Sequence, residues 1–273
     1  MAVPRLREGS VRLPGADIWY QEMGSGPAVL LLHAGVADHR MWSGQMEAFA
    51  TSCRVVACDA RGFGRSPDRA GPFSYTQDIL GLLDHLGILR AVLVGCSMFG
   101  TPVVRVALNA PERVRGLVLV GAWVHGFEPS AAAPDIEEDV MAAEERGDWE
   151  RLVELEEQLW LAGPTRPVDA VSPHLRKLYR EMNEGRRLAH GAAARDVDGE
   201  TSDIGRVQEI ACPTLIVHGE HDVSYIGELS EFLRAQIPRS EAALLPATAH
   251  LPPLEAPSEF NRLVLDWLAR LPA

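Results

Sequence analysis

The chain has 273 residues, a formal net charge of −12 and 47% apolar residues, which suits one large domain or a domain with an insert and a core needing no disulfide or structural metal. The acidic balance argues against nucleic acid or an anionic membrane surface as partner. No run reaches the ~18 apolar residues of a membrane span, and the opening MAVPRLREGSVRL lacks the apolar stretch of a signal peptide.

Cys53, Cys58, Cys96 and Cys212 form no CxxC and no Cys/His cluster with zinc spacing. They read as reduced core residues, so neither a metal nor a cofactor is expected. The expected setting is cytoplasmic, for a monomer or homodimer acting on a small molecule.

In chain order, Ile18 to Tyr20 and Ala28 to Leu32 read as strands, the second apolar enough to be buried on both faces. Met41 to Ala50 has helical spacing. Arg54 to Cys58 is a strand running into a glycine-rich loop, Asp59 to Ser66. Tyr75 to Leu86 is a helix, Ala91 to Val94 a strand, Met98 to Asn109 a helix and Gly116 to Val120 a strand. Thr214 to Val217 and Ala242 to Leu245 are strands around a helix at Ile226 to Gln236, and Ser258 to Leu268 is a terminal helix. Strands alternating with helices predict an α/β fold with a mostly parallel central sheet flanked by helices.

The alternation stops between about Val124 and Gly205, where no strand pattern is visible. Asp135 to Arg146, Trp149 to Leu161 and Pro173 to His190 read as helices. An all-helical insert between two strands of one sheet reads as a cap over the sheet's carboxyl edge. The division is then residues 1–123 and 206–273 as core and 124–205 as cap.

Ligands of an open parallel sheet bind outside the carboxyl ends of its strands. Three polar residues fall just past strand ends there: Ser97, Asp222 and His250. Ser97 sits in VLVGCSMFG, a strand followed by a sharp turn into a helix, which exposes a hydroxyl near the helix start. A plain helix-capping serine is the competing reading. A serine hydroxyl needs an imidazole to take its proton, and the imidazole needs a carboxylate to fix its tautomer. His250 follows the last strand; its eight fellow histidines show that the residue type alone decides little. Asp222 lies in HGEHD, with Glu220 as its nearby competitor and an Asx-turn as its alternative role. The order Ser, Asp, His suits a hydrolase site on this kind of sheet.

With these residues the chain resembles the α/β-hydrolase superfamily over nearly its whole length. His33 to Trp42 (HAGVADHRMW) is similar to the family's oxyanion segment, Asp59 to Ser66 (DARGFGRS) to its Asp-x-Arg-Gly-x-Gly-x-Ser loop, and His218 to Asp222 and Ala249 to Pro252 to its acid and base loops. The resemblance implies an α/β-hydrolase fold with a helical cap. It implies oxyanion donors at the amides of Met98 and Gly35, with Val36 as the alternative to Gly35. His33, Asp59 and Arg61 are then loop braces. Ser97 at the nucleophile position separates the chain from the dehalogenase and epoxide-hydrolase branches, which carry Asp there.

One residue departs from the pattern. The family carries a small residue two after the nucleophile, and Phe99 stands there. The ring has two places to go: between helix and sheet, at about 1–3 kcal/mol of overpacking, or into the pocket; the expectation is that the turn survives and that Phe99 reshapes the pocket. Val36, Trp123, Trp160, Val223 and Leu251 are the other expected lining residues, and Arg166, Arg176 and Arg180 are expected to pair with the cap's own acidic helices. The implied activity is hydrolysis of a small to medium, apolar carboxylic ester through an acyl-enzyme. Lactone, enol-lactone or carbon–carbon bond hydrolysis, and acyl transfer or perhydrolysis, use the same residues, and a ligand receptor with weak turnover is an alternative of another class.

Overall fold

A computed structural model describes residues 5–67, 71–189 and 194–272. Its main sheet has eight strands: β1 (Arg7–Leu13), β2 (Ala16–Gly24), β3 (Ala28–Leu32), β4 (Arg54–Cys58), β6 (Ala91–Cys96), β7 (Val114–Val120), β9 (Thr214–Gly219) and β10 (Ser240–Leu245). Their spatial order is β1-β2-β4-β3-β6-β7-β9-β10. The β1/β2 and β2/β4 pairs are antiparallel, and every later pair is parallel. The parallel strands are joined through helices, as parallel pairing requires.

The apolar runs are continuous because both faces of the sheet are covered. Alternate side chains go to opposite sides. Leu30, Leu93, Leu117 and Leu119 enter one core with α2 (Tyr75–His85), α3 (Gly100–Asn109) and α7 (Ser224–Gln236). Val29, Leu31, Val92, Val94, Val118 and Val120 enter the other with α1 (Ser43–Phe49), α8 (Pro252–Glu255) and α9 (Pro257–Ala269).

Between β7 and β9 lie α4 (Ile136–Glu145), α5 (Trp149–Glu156) and α6 (Pro173–Ala189). The expected single helix from Trp149 to Leu161 is α5 followed by one wide π-type turn over Glu157–Ala162, which Gly163 ends at φ 84. The expectation of no strand in this region is corrected. A short strand, β8 (Ala194–Asp196), pairs with β5 (Gly71–Phe73) in a separate two-stranded sheet. Three residues are too few to show an apolar period, and β8 forms because Asp198 is tied down. Its carboxylate accepts from Ser74 Oγ (2.7 Å) and the Thr76 amide (3.0 Å).

Arg176 and Arg180 pair with Glu157 of the same segment, as expected. Arg166 differs: it reaches Glu255 of α8 at 2.7 Å and the carbonyl of Ala247 at 2.7 Å, so it ties the helical segment to the sheet's last loop. Among the described residues no helix is long and apolar enough to cross a membrane.

Candidate active site

The carboxyl ends of β6, β9 and β10 converge. β6 delivers Ser97 through a single tight turn, Ser97–Phe99, which leads into α3. Ser97 takes φ 54, a left-handed conformation that costs a residue with a Cβ about 1–2 kcal/mol. Its carbonyl receives the amides of Gly100 and of Trp123 (2.9 Å), which helps hold the turn. The strained turn leaves Ser97 and Met98 partly exposed between buried Cys96 and Phe99.

His250 Nε2 lies 2.7 Å from Ser97 Oγ, and His250 Nδ1 lies 2.9 Å from both carboxylate oxygens of Asp222. The side chains of His250 and Asp222 are each 2% exposed. A buried imidazole between a carboxylate and a hydroxyl is satisfied when Nδ1 donates to Asp222 and Nε2 accepts from Ser97. That arrangement can take the serine proton as the hydroxyl attacks. Asp222 is itself held by the Val223 amide, 2.8 Å from Oδ1. Glu220, the competitor, is exposed and accepts from the Ala247 amide at 2.9 Å, so it braces the histidine loop rather than the histidine.

The segment expected to stabilise an oxyanion is a turn over residues 34–37, closed by the Ala37 amide on the Ala34 carbonyl at 3.0 Å. Gly35 lies directly against Met98: a Cβ at Gly35 would sit 2.5 Å from Met98 Sδ. The two expected donor residues are therefore neighbours, and both are partly exposed.

His33 and Asp59 are buried braces. The Ala60 amide donates to His33 Nε2 (3.0 Å), so His33 Nδ1 carries the proton toward the Ala34 carbonyl (2.8 Å). Burial holds the His33 pKa below the ordinary value against the pull of Asp59. Burial would raise Asp59, yet the hydrogen bond and charge of His39 leave its carboxyl below the usual range. Arg61 forks onto Asp78 at 2.8 and 2.7 Å. Asp38, His39 and Asp59 bring three possible metal ligands within 4.8 Å. Their atoms are already engaged: Arg40 forks onto Asp38, and Asp59 holds His39 and the Arg65 amide.

Of the expected lining residues, Trp160 packs against the His250 ring at 4.6 Å between centroids, and its carbonyl accepts the His250 amide. Trp123 is part-buried beside Tyr225 and lines a cavity of 300 Å³ with Pro129, Ala133, Glu137 and Tyr225. Val223 is buried in the apolar cluster against which both tryptophans pack, and Val36, within the turn over residues 34–37, is 7% exposed in the core.

Two expectations about the pocket are corrected. Phe99 does not open into the cleft. Its ring is fully buried among His33, Phe63 and Tyr75, with centroids 5.2, 6.1 and 4.9 Å away. The close approaches at the turn are met by glycines instead: a Cβ at Gly95 would sit 2.5 Å from the Phe99 carbonyl oxygen, and one at Gly100 would sit 2.6 Å from Ala122 Cβ. The side chain at 99 is thereby free to project between α2 and the sheet. Leu251 is also fully buried, in the core shared with α1 and α9, because the chain turns into α8 straight after His250.

Cys96, next to Ser97, is fully buried, and burial with the Asp222 charge pushes its thiol pKa up, which makes it a poor nucleophile. Sequence reasoning passed over Gly121 and over Asn183 and Arg186. Gly121 stands at the end of β7 at φ 50, where a Cβ would lie 3.2 Å from His250 Nδ1. Asn183 and Arg186 were legible only as polar residues on the face of α6 that also carries the fully buried Tyr179 and Met182.

A strained serine turn, a buried Asp–His pair and a parallel sheet in this strand order define an α/β-hydrolase type of protein. The family described as the alpha/beta hydrolase fold matches residues 27–257, and the chain belongs to that family, which supports hydrolase activity. It is 29% identical to a 2-hydroxymuconate semialdehyde hydrolase of Pseudomonas sp. (strain CF600), over 92% of this chain and 90% of that one. It is 27% identical to a pimeloyl-[acyl-carrier protein] methyl ester esterase of Nitrosomonas europaea, over 90% of this chain and 97% of that one. Among solved structures, a thermophilic esterase from Thermogutta terrifontis superposes with a TM-score of 0.81 at 27% identity, covering 97% of this chain and 99% of that one.

Proposed function

We propose that the protein is a serine hydrolase of small to medium carboxylic esters, with the helical segment between β7 and β9 as its cap. One observation carries this reading: the Asp222–His250–Ser97 chain, 2.9 and 2.7 Å link by link, with its serine held at φ 54 and partly exposed. The esterases among the similar proteins support the substrate class.

In this reading Ser97 Oγ attacks the ester carbonyl while His250 Nε2 takes its proton. Asp222 holds the imidazole in the required tautomer and offsets its charge. The amides of Met98 and of Gly35, or of Val36, stabilise the tetrahedral oxyanion; losing one such donor typically costs about 3 kcal/mol. His250 returns its proton to the departing alcohol. Water, activated by the same histidine, then releases the acid and restores Ser97. Trp160 shields one face of the histidine, and Trp123, backed by buried Val223, gives the cleft an apolar wall.

The test is hydrolysis of p-nitrophenyl acetate, butyrate and octanoate, with a simple lactone beside them, by the wild type and by Ser97→Ala. Turnover that Ser97→Ala loses by at least about 10⁴-fold supports the reading, since removing such a nucleophile costs about that much or more. Preference for the lactone keeps the serine chemistry and changes the substrate class. Equal activity of the two proteins, or no turnover by either, rejects it.

A further inference from the structure

The cap reaches into the oxyanion turn by two hydrogen bonds that, among the described residues, no other part of the protein duplicates. Asn183 Nδ2 donates to the Val36 carbonyl at 3.1 Å, and Arg186 Nη1 donates to the Gly35 carbonyl at 3.2 Å. Both residues lie on α6, and Asn183 is fully buried. We propose that Asn183 and Arg186 are positioning residues that hold the oxyanion turn, Arg186 by aiming the Val36 amide and Asn183 by aiming the Ala37 amide that closes the turn, so that seating the cap completes the oxyanion hole. The proposal rests on the serine-hydrolase reading above.

The peptide unit supplies the reason. It is planar and trans, so its N–H points opposite to its C=O. Whatever grips the carbonyl of one residue aims the amide of the next. Within the turn at 34–37 the Ala34 carbonyl is gripped by the core itself, through the Ala37 amide (3.0 Å) and His33 Nδ1 (2.8 Å), and this aims the Gly35 amide. The next two carbonyls, of Gly35 and Val36, are gripped by the cap, and this aims the amides of Val36 and Ala37. Among the described residues the amides of Gly35 and Val36 donate to no protein acceptor, which leaves both for an oxyanion. A turn of this kind without outside contacts could rotate its middle peptide; the Arg186 bond removes that freedom.

Arg186 is itself fixed. Its Nη1 and Nη2 meet the two carboxylate oxygens of Glu156 at 3.2 and 2.7 Å, and its guanidinium lies over the Trp149 ring, 5.0 Å from the centroid. A forked, stacked arginine holds one geometry, which a lysine would not reproduce. Asn183 Nδ2 also donates to the Tyr179 carbonyl of its own helix at 3.2 Å. The clamp is thus carried by α5 and α6 together, and it is in register with the turn only when both are docked.

The test compares the full-length wild type with Arg186→Met, Asn183→Leu and the milder Arg186→Lys. Two quantities are read: kcat and KM on p-nitrophenyl butyrate, and exchange of the Ala37 amide hydrogen, whose bond closes the turn. A misplacement of about 1 Å at such a site costs on the order of a hundredfold in rate. The expected result is a fall in kcat of about ten- to a hundredfold for Arg186→Met and Asn183→Leu with KM within about threefold, the signature of a contact that serves the transition state. Arg186→Lys, which still offers a donor to the Gly35 carbonyl, falls less. Ala37 exchanges at least about tenfold faster in the first two variants while the amides of β3 and β6 keep their protection. Unchanged kcat with unchanged Ala37 exchange overturns the proposal, and so does a loss confined to KM, which would make Arg186 a substrate-binding residue. If the wild type hydrolyses no ester, the function reading fails by itself, and the Ala37 exchange still decides whether the cap aims the turn.

Discussion

The Phe99 ring meets the His33 imidazole edge to face, 5.2 Å between centroids. The residue two after the proposed nucleophile and the residue that opens the proposed oxyanion segment thus pack against each other beneath the site. His33 in turn holds both the Ala60 amide and the Ala34 carbonyl, so one buried aromatic contact lies behind two loops of the cleft. The bulky side chain at this point of the turn is part of the scaffold rather than of the pocket.

Phe99→Ala is therefore expected to act on stability. A fully buried phenylalanine replaced by alanine costs about 3–5 kcal/mol, which in a chain of this size lowers Tm by on the order of 10 °C. The preference among acetate, butyrate and octanoate esters stays as in the wild type. Thermal unfolding and the ester series check this together; a shift toward longer acyl chains with unchanged Tm would place the ring in the cleft after all.

Gly121→Ala is expected to disturb the Asp222–His250 pair from a position that carries no functional group. At φ 50 alanine is strained by about 1–2 kcal/mol, and its Cβ would stand 3.2 Å from His250 Nδ1 and 3.3 Å from Asp222 Oδ2. The backbone has little room to yield, because the Gly121 amide donates to the Val217 carbonyl at 2.8 Å. We expect kcat to fall by about tenfold or more with KM changed much less, as for a misaligned base. Equal kcat in the two proteins would show that the pair tolerates the methyl group.

The stability of the fold should depend on pH through His33. Burial lowers its pKa in the folded state below the ordinary 6.5, so below pH 6.5 the unfolded chain binds the extra proton first. The contribution of neutral His33 is thus fully present above pH 6.5 and is lost as pH falls toward the lower folded value. Protonation also costs the hydrogen bond that Nε2 accepts from Ala60. Denaturant unfolding between pH 7.5 and 5 should show the loss, and His33→Gln, although less stable throughout, should show a shallower slope over that window. Identical slopes would assign the acid sensitivity to other groups.

Much of the architecture was legible in the chain. Runs such as AVLLL and AVLVGC are apolar at every position because both faces of the sheet are covered, and their alternation with helical periods leaves few ways to connect them. Ser97, Asp222 and His250 could be singled out because each follows a strand end, which is where a parallel sheet gathers its functional groups. Strands β1 and β5 escaped notice, since an exposed edge strand and a three-residue strand carry almost no apolar pattern.

What the sequence determined by itself was therefore the elements with a strong apolar period, their order and the identity of the polar residues at their ends, because these follow from local periodicity and turn chemistry. Only the tertiary structure decided directions and distances. It turned Phe99 into the core, since Gly95 and Gly100 already meet the close approaches at the turn. It placed Asp222 rather than Glu220 on His250, and it brought Asn183 and Arg186 onto a turn some 150 residues earlier in the chain. Such contacts depend on packing between distant segments, and no local pattern in the chain encodes them.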